Sequence, residues 1–201
     1  MNSINQISTI CVFAGSADGL SANYHQAAHQ LGAELARRNI SLVYGGGKTG
    51  LMGAVANGAL QSGGSVIGVV PENLFQPQLI HTNLTKLEIL PDIHKRKARM
   101  SALADAFIAL PGGFGTFDEL FETLTWSQIG LHKKPVGILN TEGYFDAFLN
   151  MVHIARQEGF IYSEHRSLFV TAFQPDALLD QLSAHQFPDN IDHWVERPDG
   201  Q

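Results

Sequence analysis

Seven apolar, β-prone runs punctuate the chain: TICVFA, SLVYG, SVIGVV, KLEIL, AFIAL, PVGIL and SLFVT. Stretches with helical spacing separate most of them. Tyr24, Ala28, Leu31 and Leu35 share one face of a helix predicted from about Ser21 to Arg38. Phe117, Leu120, Phe121 and Leu124 form a second such face, and Phe145, Phe148, Leu149 and Val152 a third. Pro175 suits the first turn of a last helix carrying Leu178, Leu179 and Leu182. Several strands are apolar on successive residues rather than alternating, as when helices cover both faces of a parallel sheet. The pattern predicts an α/β fold: a Rossmann-like, doubly wound parallel sheet with helices on both faces, in a single domain over residues 1–185. Residues 186–201 read as a polar, proline-containing tail or surface strap.

Composition narrows the function classes. The chain has 201 residues, 44% hydrophobic and only 16% charged, enough for one sizeable core and too apolar for disorder. A net charge of −6 argues against a general nucleic-acid binder. Cys11, the only cysteine, lies in the apolar run ICVFAG and reads as a structural thiol. The opening MNSINQIS lacks the pattern of a signal peptide, and no apolar run reaches the ~18 residues of a membrane span. A cytoplasmic protein without membrane contact is the expectation.

In open α/β sheets, ligands sit beyond the carboxyl ends of the strands, where loops turn into helices. Three segments have that form: FAGSADG, YGGGKTGLMG and LPGGFGT. Glycines let the backbone approach a ligand closely, and a following helix N-terminus offers free N–H groups to an anion. GGGKT is not a Walker A loop, because Leu42 stands where the first glycine is required. GGFGTF is not a dinucleotide fingerprint either. His25 and His29 are one helical turn apart, but without a third ligand they read as surface, so no metal is expected.

The stretch PGGFGTFDE ends in Asp118 and Glu119. Thr116 and Glu119 fit a capping box, with Thr116 at the N-cap and Glu119 three residues later. A carboxylate at the rim of a glycine-walled cleft can equally activate a water. The basic stretch IHKRKARM offers Lys95, Arg96, Lys97 and Arg99 behind Asp92, a plausible N-cap. Consecutive helix residues lie 100° apart, so these four cannot share one face, and at least one should point toward the cleft. Arginine there suits phosphate or carboxylate through paired N–H bonds.

VFAGS, LVYGGGKTGLMG, GGSVIGVVP, IHKRKARM, LPGGFGTFDE and LTWSQIGLHKKPVGILN together resemble, in order, the landmarks of the LOG (Lonely guy) family. That family is also called the PGGxGTxxE group and was long labelled lysine decarboxylase. The resemblance implies a Rossmann-like homodimer, without metal or redox cofactor, that hydrolyses the N-glycosidic bond of nucleoside 5′-monophosphates. Cytokinin riboside monophosphates or AMP would give free base and ribose 5-phosphate. It makes Arg96 and Glu119 the catalytic pair. It places Lys97, Gly112, Gly113, Phe114, Gly115, Thr116, Phe117, Asp118 and Thr125 in the substrate site, with Gly46 of the second glycine loop. Gln78 stands where the family usually has Glu, and Ile93 where it commonly has Met. The implied mechanism docks the phosphate on the N–H groups of Gly113 to Thr116 while Glu119 activates water at C1′. A nucleotide or molybdenum-cofactor carrier on the same fold is the alternative, and a pyridoxal-dependent decarboxylase a third reading that needs a buried lysine.

Overall fold

The computed structural model describes residues 6–188 and Ile191. Its strands are β1 (Thr9–Phe13), β2 (Ser41–Tyr44), β3 (Val66–Pro71), β4 (Lys86–Leu90), β5 (Ala106–Ala109), β6 (Val136–Leu139) and β7 (Phe169–Ala172). Its helices are α1 (Ala22–Arg37), α2 (Gly50–Gln61), α3 (Ile93–Leu103), α4 (Phe114–Gln128), α5 (Asp146–Gln157) and α6 (Pro175–Ala184). The strands form one sheet in the order β4-β3-β2-β1-β5-β6-β7, with every neighbouring pair parallel. All seven β-prone runs are strands of this sheet. From β1 the chain winds outward to β4, returns to β5 beside β1, and winds outward the other way.

Because successive strand residues face opposite sides, β1 feeds two cores. Ile10 and Val12 join the core under α1, α2 and α6, with Ala28, Leu31, Leu35, Val55 and Leu178. Cys11 and Phe13 join the opposite core, with Met100 of α3, Leu120 of α4 and Phe148 of α5. The β1 run ICVF is apolar on successive residues for this reason. Full burial pushes the Cys11 thiol well above its ordinary pKa, with neighbouring Glu119 adding to the effect, which keeps it protonated. β4 is the exception: at the sheet edge it leaves Leu87 and Ile89 partly exposed.

Helix ends largely follow the local signals. Ser21 caps α1 by accepting from Asn23 N, Asp92 caps α3 by accepting from Lys95 N at 2.8 Å, and Pro175 opens α6. Phe121 departs from expectation. It lies at the margin of the α4 stripe and remains 42% exposed, while Leu120 carries the buried contact. Of the proposed tail, Phe187 lies under the Lys133 ammonium at 5.7 Å and Ile191 is buried; residues 189, 190 and 192–201 fall outside the described residues. No helix among the described residues is long and apolar enough to cross a membrane.

α1 and α2 pack with almost no side-chain spacer. A Cβ on Gly32 would lie 2.0 Å from the Val55 carbonyl oxygen, and one on Gly58 2.0 Å from that of His29. Gly32→Ala is therefore expected to destabilise the protein by roughly 1–3 kcal/mol through overpacking. Chemical denaturation of the variant measures this, and unchanged stability would contradict the close approach.

Candidate functional site

The winding reverses between β1 and β5, and the loops leaving these strands meet above that point. Gly15 N donates to Pro111 O at 3.0 Å, joining the two loops main chain to main chain. A Cβ on Gly112 would sit 2.1 Å from Thr116 Oγ1 and 2.8 Å from Gly15 N, so this glycine is required by packing. The Tyr144 hydroxyl donates to Gly112 O from the opposite side. The result is a cleft of about 260 Å³ lined by Gly15, Ser16, Asp18, Tyr24, Gly113 and Tyr144, among others.

Helix α4 starts at this cleft, and it starts earlier than the capping-box pattern predicts. Gly113 is the N-cap, with no side-chain cap bond among the described residues, and the first intrahelical bond runs from Phe117 N to Gly113 O at 3.1 Å. Thr116 is thus the third helical residue, buried against Gly112, and Glu119 lies a turn further in. The capping box does not form. The glycine pair lets the backbone tuck under Gly15 and enter the helix before Thr116 is reached. The N–H groups of Gly113, Phe114, Gly115 and Thr116 consequently precede the hydrogen-bonded part of the helix and point out of its positive end. Cβ atoms placed on Gly113 and Gly115 would have no described atom within 4 Å. Nothing in the chain itself demands glycine there, whereas an approaching anion would.

Relieved of a capping role, Glu119 faces Arg96. Arg96 Nη1 donates to Glu119 Oε1 at 2.7 Å, and Arg96 Nε to the Val69 carbonyl of β3 at 3.1 Å. The two side chains are only 13% and 11% exposed. The second glycine loop makes this possible, since a Cβ on Gly45 would come within 2.6 Å of Arg96 Nη2. Burial pushes the Glu119 carboxyl above its ordinary pKa, although Arg96 pulls the other way. That is the state expected of a proton acceptor.

The other sequence candidates sort by position. Phe114 lies at the mouth of the turn, 95% exposed. Lys97 donates to Asp118 Oδ2 at 3.0 Å and forms an ion pair with Glu122 at 2.9 Å, so Lys97 and Asp118 satisfy each other beside the site. Phe117 stacks parallel to Tyr144 at 6.5 Å and belongs to the core. Gly46 is buried with positive φ, its carbonyl taken by His81 N, and shapes the second loop. Gln78 is exposed on a short 3-10 turn, Pro77–Leu79, tied to that loop by Lys48 N donating to Leu79 O. Thr125 is exposed and donates to Phe121 O. Twelve residues of helix at 1.5 Å each put it about 18 Å from Gly113, so one chain does not bring them together. Sequence reasoning missed Tyr144, which no motif or periodicity marked; Gly15 and Gly45 lie in the loops FAGSADG and YGGGKTGLMG, but neither was singled out as a site residue.

Residues 52–182 match a family described as "possible lysine decarboxylase". The chain is 45% identical over 177 residues to a cytokinin riboside 5′-monophosphate phosphoribohydrolase of Arabidopsis thaliana, covering 88% of this chain and 82% of that protein. It is 48% identical over 163 residues to the LOG enzyme of the same description from Oryza sativa subsp. japonica, covering 81% and 67% respectively. Among solved structures, a molybdenum cofactor carrier protein from Chlamydomonas reinhardtii superposes with a TM-score of 0.65 at 23% identity, over 89% of this chain and 98% of the other. A molybdenum cofactor binding protein from Rippkaea orientalis gives 0.64 at 20%, over 86% and 93%. These two show the fold. As for a decarboxylase, Lys97 is held by carboxylates and Lys134 donates to Ser101 O at 2.7 Å, so both ammonium groups are engaged.

Gly115→Ala should leave stability unchanged or raise it by about 0.5–1 kcal/mol, the helix preference of alanine over glycine. The same change should raise KM for a phosphorylated ligand at least several-fold. Denaturation curves and steady-state kinetics on the variant check both, and an unaltered KM would show that the turn does not hold the anion.

Proposed function

Because the chain belongs to the LOG family of cytokinin riboside 5′-monophosphate phosphoribohydrolases, we propose that it hydrolyses the N-glycosidic bond of nucleoside 5′-monophosphates to free base and ribose 5-phosphate. The observation that carries the assignment to this site is the buried Arg96–Glu119 pair beside a helix start whose glycines leave the surrounding space open. The phosphate docks on the N–H groups of Gly113, Phe114, Gly115 and Thr116, where the helix end supplies partial positive charge without a cation. Arg96, fixed at Val69 O and Glu119, orients that carboxylate and the sugar. Glu119 takes the proton of the attacking water and, as an anion, favours the positive charge that grows on C1′ when the base departs. Adenine nucleotides, AMP included, are the substrate class we assign.

We further assign a homodimer, with the outward side of α4 as the contact. Phe121 on that helix and Ile129 and Leu131 just past its end are 42%, 40% and 68% exposed. Pairing there would supply Thr125 to a partner's cleft, the one arrangement in which it serves as a substrate contact. Light scattering coupled to gel filtration should return twice the chain mass.

Incubation with a panel of nucleoside 5′-monophosphates should release free base, detected by chromatography, while the unphosphorylated nucleosides react far more slowly. Absence of free base from every nucleotide would overturn the assignment. Glu119→Gln should lower kcat by roughly 10² to 10⁴, the contribution of a positioned acid–base group, with the fold retained by circular dichroism. The sign of the pH dependence follows from burial. A base acts when deprotonated, and the Glu119 carboxyl is raised above 4.5, so kcat/KM should fall on the acid side at a pH above that value. In Glu119→Gln this limb should disappear from the residual activity.

A further inference from the structure

Between α3 and α4 lies a small gap of about 10 Å³, with Lys97, Ser101, Glu119, Glu122, Thr123 and Trp126 among its walls. A void of roughly 10–15 Å³ suits a single water, provided two to four polar groups face it. Here the walls carry two carboxylates, an ammonium and two hydroxyls. Lys97 gives N–H bonds to Asp118 and Glu122, and an ammonium has three to give. Glu119 spends Oε1 on Arg96, which leaves Oε2 as its second acceptor. The two carboxylates differ in access to solvent: the Glu119 side chain is 11% exposed and that of Glu122 26%.

We propose that this gap holds one water linking Glu119 to Glu122, and that Glu122 is a positioning residue which returns the proton collected by Glu119 to solvent. The inference rests on the reading of Glu119 as the group that deprotonates the attacking water. In that step a water oxygen bonds to C1′, the C1′–N bond breaks with its electron pair leaving on the base nitrogen, and one proton passes to Glu119. The departing base takes up one proton, so no net acid is produced, but Glu119 must be emptied before the next turnover. Its carboxyl is buried between two helices and paired with Arg96, so direct loss to bulk water is hindered. Through the gap, Glu119 hands its proton to the bridging water, which gives one of its own to Glu122. Glu122 then releases it at its more exposed end. The charged groups around Glu122 are Lys97 and Arg96 from α3 and Asp118 and Glu119 from α4, with Lys134 beyond Ser101. Lys97 pairs with Glu122 at 2.9 Å and holds its carboxylate against the gap.

The test is the Glu122→Gln variant assayed with a nucleoside 5′-monophosphate across pH, beside Glu122→Asp and Glu119→Gln. The expected result for Glu122→Gln is a fall in kcat of roughly one order of magnitude with KM unchanged. That is smaller than the 10² to 10⁴ of a group acting at the reacting atoms. The solvent deuterium isotope effect on kcat should rise, and the acid limb should move to lower pH, because Lys97 then faces one carboxylate fewer. Glu122→Asp should recover much of kcat. A Glu122→Gln profile that superimposes on the parent's while Glu119→Gln is inactive would overturn the relay and leave the proposed function standing. A fall in kcat that tracks lost thermal stability, with no change in isotope effect or pH limb, would also overturn it by showing a structural role. Full activity in Glu119→Gln would remove the role of Glu119 and the relay with it, while the release of free base would keep the hydrolase assignment.

Discussion

The contact on which this site depends is the hydrogen-bonded ion pair between Arg96 on α3 and Glu119 on α4. It spans two helices that reach the carboxyl edge of the sheet from different strands, and the Val69 carbonyl of β3 holds it from below. Taking both charges largely out of water is costly, and the attraction between them offsets that cost only when the geometry is good. A well-packed apolar pair would hold α3 against α4 at least as firmly. The pair therefore makes better sense as chemistry than as reinforcement, and its surroundings agree. A glycine at position 45 clears space for the guanidinium, and the glycines after β5 bring a helix end to the same place.

Much of this arrangement was legible in the sequence, because much of it is local. Several strand runs, though not the edge run KLEIL, carry the unbroken apolarity that a two-sided core demands, and β1 shows the reason, with Ile10 and Cys11 buried in different cores. Asp92 announced the start of α3. The 100° step between helix residues required that at least one basic side chain of IHKRKARM turn inward, and Arg96 and Lys97 both do. The glycine-bearing loops after β1 and β5 are the ones that line the cleft.

What escaped sequence reading was set by distant contacts. Thr116 to Glu119 spells a good capping box, yet the helix starts at Phe114 because Gly112 packs on Gly15, nearly a hundred positions away. Tyr144 reaches the cleft from the turn after β6, where nothing in its neighbourhood suggested a role. The count of glycines also concealed a division of labour. Gly112 and Gly45 make room for atoms of the protein, whereas Gly113 and Gly115 make room for nothing the chain supplies. Only the fold separates these two kinds.

The join between the first and fifth strand loops has an evolutionary corollary. Where two side chains clash, a second mutation can trim the partner and restore the fit. At Gly112 the opposing atoms include the main-chain nitrogen of Gly15, and every amino acid carries that atom. No replacement at position 15 can compensate a larger residue at 112, so this junction should resist drift even in descendants that abandon the reaction.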